Sequence, residues 1–352
     1  MAIITIVGAG MMGSGISWPL SDNGHEVRLV GTHLDDKIID GIKSDRVHCK
    51  HQRTVGNNVK AYYFSELDQA MQDSKVIVCG VSSPGVDWFV EAMLPYFKPE
   101  LPVLLVTKGL VASEDGTLRI FPVYMNDRLP EDLKGKINFS AVVGPCIAQE
   151  LAAHRQTAVY FVGLDEIVLK TLRDLFSTDY YHVYTSTNLT PTETGVALKN
   201  AYAIAINIAV GWYRVQGQDG LAHMYNPQAA LFAQSLHEMW ILTSITGAPM
   251  DEFVNLTGSG DLYVTVNGGR NSRLGQLLGQ GYSYETALKA LDNVTLEGVN
   301  VLKTLGEALP KLALRGIVNL EDFPLILHLY DVVFHGIGIN IPWDNFYRQE
   351  GI

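Results

Sequence analysis

Apolar residues in the first half of the chain cluster in short runs that are typical of buried β-strands. The first run, at residues 3–7, consists of Ile, Thr and Val and has no regularly spaced polar face. Such runs suit strands that are covered on both faces, as in parallel sheets. Five more segments are predicted to be strands, at 25–30, 75–81, 102–108, 139–144 and 157–163. Helical segments separate most of them, and this alternation predicts a doubly wound α/β sheet.

The second half of the chain has a different pattern. Helical periodicity or high helix propensity marks five segments, at 193–213, 225–245, 284–291, 294–309 and 323–334, and convincing strands end near Tyr184. A polar stretch that contains proline, Thr185 to Pro191, separates the two patterns. We therefore predict an N-terminal α/β domain at 1–188 and a C-terminal all-helical domain at 189–352.

Composition and charge exclude several classes of protein. Residues of the AVILMFWYC set make up 47% of the 352 residues, and charged residues only 18%, against about 25% in typical domains. The chain therefore has enough apolar residues for large cores, and intrinsic disorder is excluded. The net charge of -11 argues against a general binder of nucleic acid or of anionic membranes. Any anionic substrate must be bound by a local basic site.

Cysteine and apolar-run patterns favour a cytoplasmic protein without a membrane span. The three cysteines, Cys49, Cys79 and Cys146, are odd in number and scattered, which disfavours a disulfide scaffold or a zinc cluster. The longest apolar stretch, residues 201–213, contains Asn207 and is shorter than the ~20 residues of a membrane helix. We expect a buried core helix there and no integral membrane association.

Histidine spacing gives no support for a metal site. The ten histidines include no HxxxH or HExxH pair, so we expect no bound metal. His48 and His51 lie in a polar stretch, and we expect them to be surface residues rather than ligands.

A glycine-rich turn follows the first predicted strand. Gly8, Gly10 and Gly13 form a GxGxxG pattern, which is weak evidence alone but strong between a strand and a helix. The first glycine permits the tight turn, the second lets backbone approach a pyrophosphate, and the third allows close packing of helix on strand. A purely structural turn is the alternative. The context favours an NAD(P)-binding, Rossmann-like domain.

The end of the second strand bears on the choice between NAD and NADP. An acidic residue there would bind the ribose 2′-hydroxyl of NAD, but the chain has Thr32 and His33, and the first acids are Asp35 and Asp36. This arrangement slightly favours tolerance of NADP, with Thr32 and His33 near the 2′ position. Asp35 and Asp36 are equally compatible with solvated residues at the start of a helix.

Polar residues in otherwise apolar or glycine-rich surroundings are candidates for chemistry. Lys199 and Asn200 lie on the helix expected to be most buried, where a lysine needs a partner or a shifted pKa, unless it snorkels at the helix edge. Arg270 and Asn271 follow two glycines and enter a helix. This pair suits a phosphate clamp, or a polar loop before a helix. Lys108 ends a strand, where open α/β sheets bind ligands.

In order and spacing, the chain resembles the NAD(P)-dependent glycerol-3-phosphate dehydrogenase family. The matching segments cover nearly the whole length: GAGMMG (8–13), NGHEVRLVG (23–31), VTKGL (106–110), VGPCIAQELAA (143–153), ALKNAYAIAINIAVG (197–211), GSGDLYVT (258–265), GGRNSRLGQLLGQG (268–281) and LEGVNVLK (296–303). The family has a Rossmann-like N-terminal domain and a helical, substrate-binding C-terminal domain, and it interconverts dihydroxyacetone phosphate and sn-glycerol 3-phosphate.

The resemblance implies roles for individual residues. The implied catalytic residues are Lys199, Lys108 and Asp261. Substrate binding is implied for Asn200, Thr265, Arg270 and Asn271. Cofactor binding is implied for Gly8, Gly10, Met11, Met12, Gly13, Thr32, His33, Lys108, Ala148, Arg270 and Glu297. The implied partner is a small phosphorylated substrate, and a homodimer is compatible with the apolar composition.

Several positions depart from the family pattern and keep other functions open. Val143 and Cys146 flank the Gly-Pro pair, Gln234 replaces an arginine, and segment 45–63 lacks the usual Tyr-Leu-Pro-Gly type motif. The alternatives are a reductase of another small phosphorylated ketone or aldehyde, and a non-catalytic NAD(P)-binding sensor. A 2-hydroxyacid or ketopantoate-type reductase is a further alternative, and it would not use the Arg270–Asn271 pair to hold its substrate.

Overall fold

The chain folds into two compact units. In this computed structural model, which describes residues 1–216, 224–247, 250–292, 294 and 296–347, the first unit comprises Met1–Lys108 and Phe121–Leu189. The second comprises Gly109–Ile120 and Thr190–Ile352. The short segment Gly109–Ile120 lies within the N-terminal part of the sequence but packs with the second unit.

Twelve β-strands are present in the described part of the chain, and eight of them form one sheet in the first unit. Their order in that sheet is β12-β11-β10-β7-β6-β1-β2-β5, with only β10 and β11 antiparallel. The strands are β1 (Ile3–Val7), β2 (Glu26–Val30), β3 (Val47–His48), β4 (Arg53–Thr54), β5 (Val59–Tyr62), β6 (Val76–Cys79), β7 (Val103–Leu105), β8 (Leu110–Ala112), β9 (Leu118–Ile120), β10 (Phe139–Val143), β11 (Thr157–Val162) and β12 (Tyr181–Ser186). The mostly parallel, doubly wound sheet confirms the predicted α/β fold.

Helices cover the sheet in the first unit and dominate the second. Those of the first unit are α1 (Met11–Gly15), α2 (Ser17–Asp22), α3 (Asp36–Asp45), α4 (Leu67–Met71), α5 (Val86–Met93), α6 (Phe121–Asp127), α7 (Ala148–Ala152) and α8 (Glu166–Phe176). Those of the second are α9 (Leu189–Gln216), α10 (Tyr225–Ser244), α11 (Met250–Glu252), α12 (Asp261–Val266), α13 (Arg270–Gly279), α14 (Tyr284–Ala290), α15 (Glu297–Leu314) and α16 (Pro324–Tyr330). The helical C-terminal region is therefore confirmed; residue 295 of the expected segment 294–309 lies outside the described residues.

The six segments predicted to be strands all form strands of the large sheet. Most of their side chains are buried, and Ile4, Ile6, Val78 and Leu104 are fully inaccessible. The two strands that the pattern did not predict, β5 and β12, are the edges of the sheet. In β12 buried and exposed residues alternate at first, as expected for a strand with one solvated face.

The second unit is built around the long helix α9. Most residues of α9 between Val196 and Ala209 are buried, as the apolar run predicts. A hairpin of β8 and β9 joins this unit and packs on α15. No helix in the described ranges is both long and apolar enough to cross a membrane.

Candidate active site

The glycine loop joins β1 to α1, and its three glycines have different surroundings. Gly8 has φ +108°, and a Cβ there would lie 2.6 Å from the carbonyl carbon of Gly80. A Cβ on Gly13 would lie 2.1 Å from the carbonyl oxygen of Gly8. At Gly10, by contrast, a Cβ would meet nothing within 4 Å among the described residues. Gly8 and Gly13 are therefore required by packing, whereas Gly10 leaves open space at the helix start, as a pyrophosphate site requires.

Gly80, at the end of β6, is a further part of this loop that the sequence did not reveal. A Cβ on Gly80 would lie 2.7 Å from the Gly8 oxygen and 2.8 Å from the Gly13 Cα. The glycines that follow β1 and β6 and Gly13 in α1 thus pack backbone against backbone. In the sequence, the only indication of this role is a glycine directly after an apolar run, at Cys79-Gly80. The role becomes evident only because β6 pairs with β1 and so brings Gly80 beside the glycine loop.

Asp35 fixes the loop that follows β2. Its Oδ2 accepts hydrogen bonds from the Thr32 amide (3.0 Å), the Thr32 hydroxyl (2.8 Å) and the Ala9 amide in the glycine loop (3.2 Å). Asp35 is only 7% exposed, so the reading of it as a solvated residue is wrong; Asp36 is exposed. Thr32 is buried and bound to Asp35, whereas His33 is exposed and its ring lies near that of Trp88.

His48 and His51 are buried, and the expectation that they are surface residues is wrong. They are 0% and 7% exposed, and they lie against the glycine loop. The polar residues around them had suggested a surface stretch, but β3 and β4 form a hairpin that turns both rings inward. Within the loop, the Met11 carbonyl accepts a bond from His51, and Met12 packs against the core of the first unit.

Lys108 and Ala148 lie at the carboxyl-terminal side of the sheet in the first unit. The Lys108 ammonium donates to the carbonyl oxygen of Gly144 at 3.0 Å, just after β10. Ala148 begins α7, and its Cβ lies 3.3 Å from the position of a Cβ on Gly15. The small residues allow α1 and α7 to pack closely. The structure thus places Ala148 beside the glycine-loop helix.

Lys199 and Asp261 form a buried ion pair in the second unit. The lysine side chain is 11% exposed and that of the aspartate 0%, and the ammonium contacts the carboxylate Oδ1 directly. Asp261 begins α12, directly after the π-helical segment Phe253–Gly260. The predicted partner of the lysine is therefore present, and a purely snorkelling lysine is excluded.

Asn200 and Asn271 both contact the start of α15. The Asn200 amide lies 3.5 Å from the Glu297 carboxylate, and the Asn271 Oδ1 accepts from the Gly298 amide at 3.1 Å. A Cβ on Gly298 would lie 2.4 Å from the Asn200 carbonyl oxygen. The structure thus brings three predicted site residues, Asn200, Asn271 and Glu297, together around the Gly298 backbone.

Close packing of α13 on α9 determines where Arg270 and Asn271 lie. A Cβ on Gly275 would be 2.2 Å from the Ile204 oxygen, and one on Gly279 would be 2.1 Å from the Ile208 oxygen. Helix α13 can therefore lie directly on the backbone of α9, so its first residues lie near Asn200. Arg270 itself is exposed at the helix start.

Asn207 ties the same helices together, although the sequence showed it only as an interruption of an apolar run. Its amide donates to the Val266 carbonyl at 3.1 Å, and its Oδ1 accepts from Gln276 at 3.1 Å. Thr265, on the intervening helix α12, donates its hydroxyl to the Asp261 carbonyl at 2.6 Å. The Thr265 hydroxyl is therefore bound within the helix that carries Asp261. In the described part of the chain, no cluster of three His, Cys, Asp or Glu side chains could hold a metal ion.

Comparison with known proteins identifies the family. The model of the NAD-dependent glycerol-3-phosphate dehydrogenase N-terminus matches residues 3–166, and that of the C-terminus matches residues 188–341. The chain is 33% identical over 337 residues to an NADP(+)-dependent glycerol-3-phosphate dehydrogenase of Archaeoglobus fulgidus, covering 96% of each protein. It is 31% identical over 345 residues to a glycerol-3-phosphate dehydrogenase [NAD(P)+] of Bacillus cereus, covering 96% of this chain and 92% of that one.

Comparison with a solved structure supports the two-part fold described above. The glycerol-3-phosphate dehydrogenase of Coxiella burnetii superimposes with a TM-score of 0.80 at 23% identity, covering 96% of both chains. Together with the two matching family models, which span most of the chain, this agreement leaves one assignment. The chain belongs to the NAD-dependent glycerol-3-phosphate dehydrogenase family.

Proposed function

We propose that this protein interconverts dihydroxyacetone phosphate and sn-glycerol 3-phosphate with NAD(P)H or NAD(P)+. The observation that carries the proposal is the buried Lys199–Asp261 pair beside Asn200, in a chain of this family. We further propose that residues 1–188 bind the dinucleotide and residues 189–352 bind the substrate. The odd number and scatter of the cysteines support a cytoplasmic location, and the apolar composition supports a homodimer.

The glycine loop supports the cofactor assignment. The open space at Gly10 lies at the start of α1, between the packed glycines Gly8 and Gly13. Main-chain amides at such a turn favour a pyrophosphate. Thr32, His33, Met11, Met12 and Ala148 surround or adjoin this loop and are the proposed remaining contacts. When bound, the nicotinamide supplies or accepts the hydride; the protein binds, orients and provides the electrostatic environment.

Lys199 is the proposed proton donor. Reduction of a ketone places negative charge on its oxygen, and an ammonium group stabilises that charge and donates a proton to it. Asp261 accepts a hydrogen bond from the Lys199 ammonium and so holds it in one orientation. In the opposite direction, the neutral amine accepts the hydroxyl proton. Lys108, whose ammonium donates to the Gly144 carbonyl oxygen, is the second proposed catalytic lysine, as the family resemblance implies.

Arg270 is the proposed phosphate ligand. It begins α13, and Cβ atoms on the preceding Gly268 and Gly269 would meet nothing within 4 Å among the described residues. The exposed guanidinium, the open loop and the helix start together suit a phosphate group. Asn271 and Thr265 support the site from within the second unit, because their side chains bind backbone groups there.

The test is a steady-state assay with both reduced cofactors and a panel of ketones. We expect turnover of dihydroxyacetone phosphate, and a much poorer reaction with dihydroxyacetone, which lacks the phosphate. Arg270→Ala should raise KM for the phosphorylated substrate by about 10- to 100-fold, the effect of losing charge-assisted hydrogen bonds. At saturating cofactor, it should leave the reaction with dihydroxyacetone unchanged. No turnover of dihydroxyacetone phosphate with either cofactor would refute the proposal.

A matched control separates the phosphate clamp from a general loss of positive charge. Arg273 is also exposed and lies one turn along the same helix, so Arg273→Ala removes the same charge away from the helix start. It should change KM by less than about threefold. Equal effects of the two substitutions would contradict the assignment of Arg270. A preference for another phosphorylated ketone or aldehyde in the panel would identify the alternative substrate class.

A further inference from the structure

The buried histidine pair of the first unit contacts the glycine loop directly. The His48 Nε2 lies 2.7 Å from the Ser14 hydroxyl and 3.1 Å from the Ala9 carbonyl oxygen. The His51 Nε2 lies 2.9 Å from the Met11 carbonyl oxygen. Two of the loop's carbonyl groups are therefore bound by ring nitrogens from the hairpin of β3 and β4. This hairpin belongs to segment 45–63, where the chain departs from the family pattern.

The hydrogen bonds determine the tautomer of each ring. The His51 backbone amide donates to the His48 Nδ1 at 3.1 Å, so that nitrogen is an acceptor and the proton of His48 is on Nε2. The Nε2 of His51 faces a carbonyl oxygen, which only accepts, so it also carries the proton. The His51 Nδ1 is buried with no hydrogen-bond partner among the described residues. Both rings thus fit their sites as neutral Nε2–H tautomers.

We propose that His48 and His51 are positioning residues for the dinucleotide: as neutral donors they hold the Ala9 and Met11 carbonyl groups, and so keep the glycine loop in its cofactor-binding conformation. The proposal rests on the cofactor assignment made above. Asp35 complements the histidines from the strand side, since it accepts the Ala9 amide. The peptide groups on both sides of Ala9 are thereby fixed by buried side chains.

The charged form of each ring is disfavoured by its surroundings. Burial lowers the pKa of His48, and Lys50 acts in the same sense, while the hydrogen bond to the Ala9 carbonyl and the nearby Asp35 oppose the shift without reversing it. Burial also lowers the pKa of His51, to about 4, and His48 and Arg53 add to this effect. Trp18 packs edge-on against the His51 ring at 5.0 Å between centroids.

Protonation would also break the observed geometry. A proton on the His48 Nδ1 would face the His51 amide, so that two donors would meet. A proton on the His51 Nδ1 would be buried without an acceptor among the described residues. Cofactor binding should therefore be stable across neutral pH and weaken in acid.

Calorimetric titration of the full chain with NAD+ and NADP+ tests the proposal without relying on turnover. His48→Leu and His51→Leu each remove a donor to the loop and should raise Kd for both cofactors by about tenfold, the effect of losing a buried hydrogen bond. His48→Gln and His51→Gln retain an amide donor near the Nε2 position and should stay within about threefold of the wild type. At saturating cofactor, kcat and the KM for the ketone should remain unchanged.

His182 provides the matched control. It is exposed on the edge strand β12, with its Nε2 2.6 Å from the Gln156 side chain, so His182→Leu should leave Kd within about twofold. Thermal unfolding of each variant identifies any general loss of fold. The proposal is overturned if the leucine variants bind both cofactors like the wild type. It is also overturned if they lose cofactor affinity only together with a raised KM for the ketone and general unfolding.

A pH series separates positioning from simple packing. The Kd of the wild type should rise only in acid, as the pH approaches the lowered pKa values of the two rings, about 4 for His51. His48→Gln should show a smaller rise because its amide is not protonated in this range. Parallel pH profiles for the two proteins would contradict the proposal. Failure of the dehydrogenase assay alone would leave these binding results intact, so the two proposals can fail separately.

Discussion

The sites of the two units are built from different kinds of chemical group. In the first unit, the glycine loop is defined by backbone: Gly8, Gly13 and Gly80 leave no room for side chains, and the supporting histidines are neutral donors. In the second unit, the site is defined by charge, with the Lys199–Asp261 pair buried in a helical core. Under the proposed function, the first unit binds the cofactor by its shape and the second acts on the substrate through its charges.

The largest effect should come from the charged site. Lys199→Met removes the proposed proton donor and should lower kcat by at least about 10³-fold, while the Kd of the cofactor stays near that of the wild type. It also deprives the buried Asp261 carboxylate of its ammonium, which should cost about 3–5 kcal/mol of stability. Steady-state kinetics, calorimetry and urea unfolding measure the three quantities.

The double variant Lys199→Met/Asp261→Asn separates catalysis from stability. Removing both charges should restore most of the unfolding free energy, because no uncompensated charge remains buried, but it should not restore turnover. Lys303→Met, on an exposed face of α15, is the control for loss of a lysine. If the double variant regained activity, the decrease in the single variant would reflect instability rather than catalysis.

The sequence predicts the glycines of the cofactor loop better than it predicts the residues that hold the loop in place. The order strand, GxGxxG, helix places Gly8, Gly10 and Gly13 correctly because that pattern is local. His48, His51, Asp35 and Gly80 were missed or misread because their roles depend on contacts across more than twenty residues of sequence. From the sequence alone, a polar stretch such as 45–63 is expected to lie at the surface. In the fold, the hairpin of β3 and β4 turns the rings of His48 and His51 inward.

In the second unit, the composition identifies a buried helix but not its partners. Lys199 was recognisable as a buried cation, yet its pairing with a residue sixty-two positions away required the fold or the family resemblance. Asn207 shows the same limit: a single polar residue in an apolar run gives no sign that it ties three helices together. The need for glycine at Gly275 and Gly279 likewise becomes evident only in the fold, where α13 lies directly on the backbone of α9.

A pair of alanine substitutions tests whether shape defines the first site. Gly13→Ala places a methyl group 2.1 Å from the Gly8 oxygen and should destabilise the protein by about 1–3 kcal/mol. Gly10→Ala meets no described atom within 4 Å and has φ -65°, so it should change the unfolding free energy by less than about 0.5 kcal/mol. Denaturant unfolding checks both values.

The same pair should differ in cofactor binding. The new methyl group of Gly10→Ala occupies space proposed for the pyrophosphate and should raise Kd by about tenfold or more without destabilising the fold. Turnover per bound cofactor should be retained at saturation. An unchanged Kd for Gly10→Ala would mean that the open space at Gly10 is not where the dinucleotide binds.

The last effect depends on pH and concerns a buried carboxylate of the second unit. Glu238 accepts hydrogen bonds from Tyr202, Gln234 and the first amides of α16, at Leu325 and Ile326. Burial raises its pKa from 4.5 to about 7, although these donors act in the opposite sense. The Tyr202 hydroxyl, which can accept as well as donate, provides a partner for the protonated form.

Glu238 and the histidines should affect the pH dependence of stability with opposite signs. Between pH 4.5 and about 7 the folded chain retains the Glu238 proton that the unfolded chain has lost, so its contribution falls by about 3 kcal/mol as pH rises. The lowered pKa of His48 acts the other way: below 6.5 the unfolded chain binds the proton first, and stability falls as pH falls. Urea unfolding across this range should therefore show that Glu238→Gln and His48→Gln change the slope in opposite directions. As a control, substitution of the exposed Glu307 by Gln should leave the slope of the unfolding free energy against pH unchanged. If Glu238→Gln and His48→Gln shifted this slope in the same direction, the contrast between the two units would be contradicted.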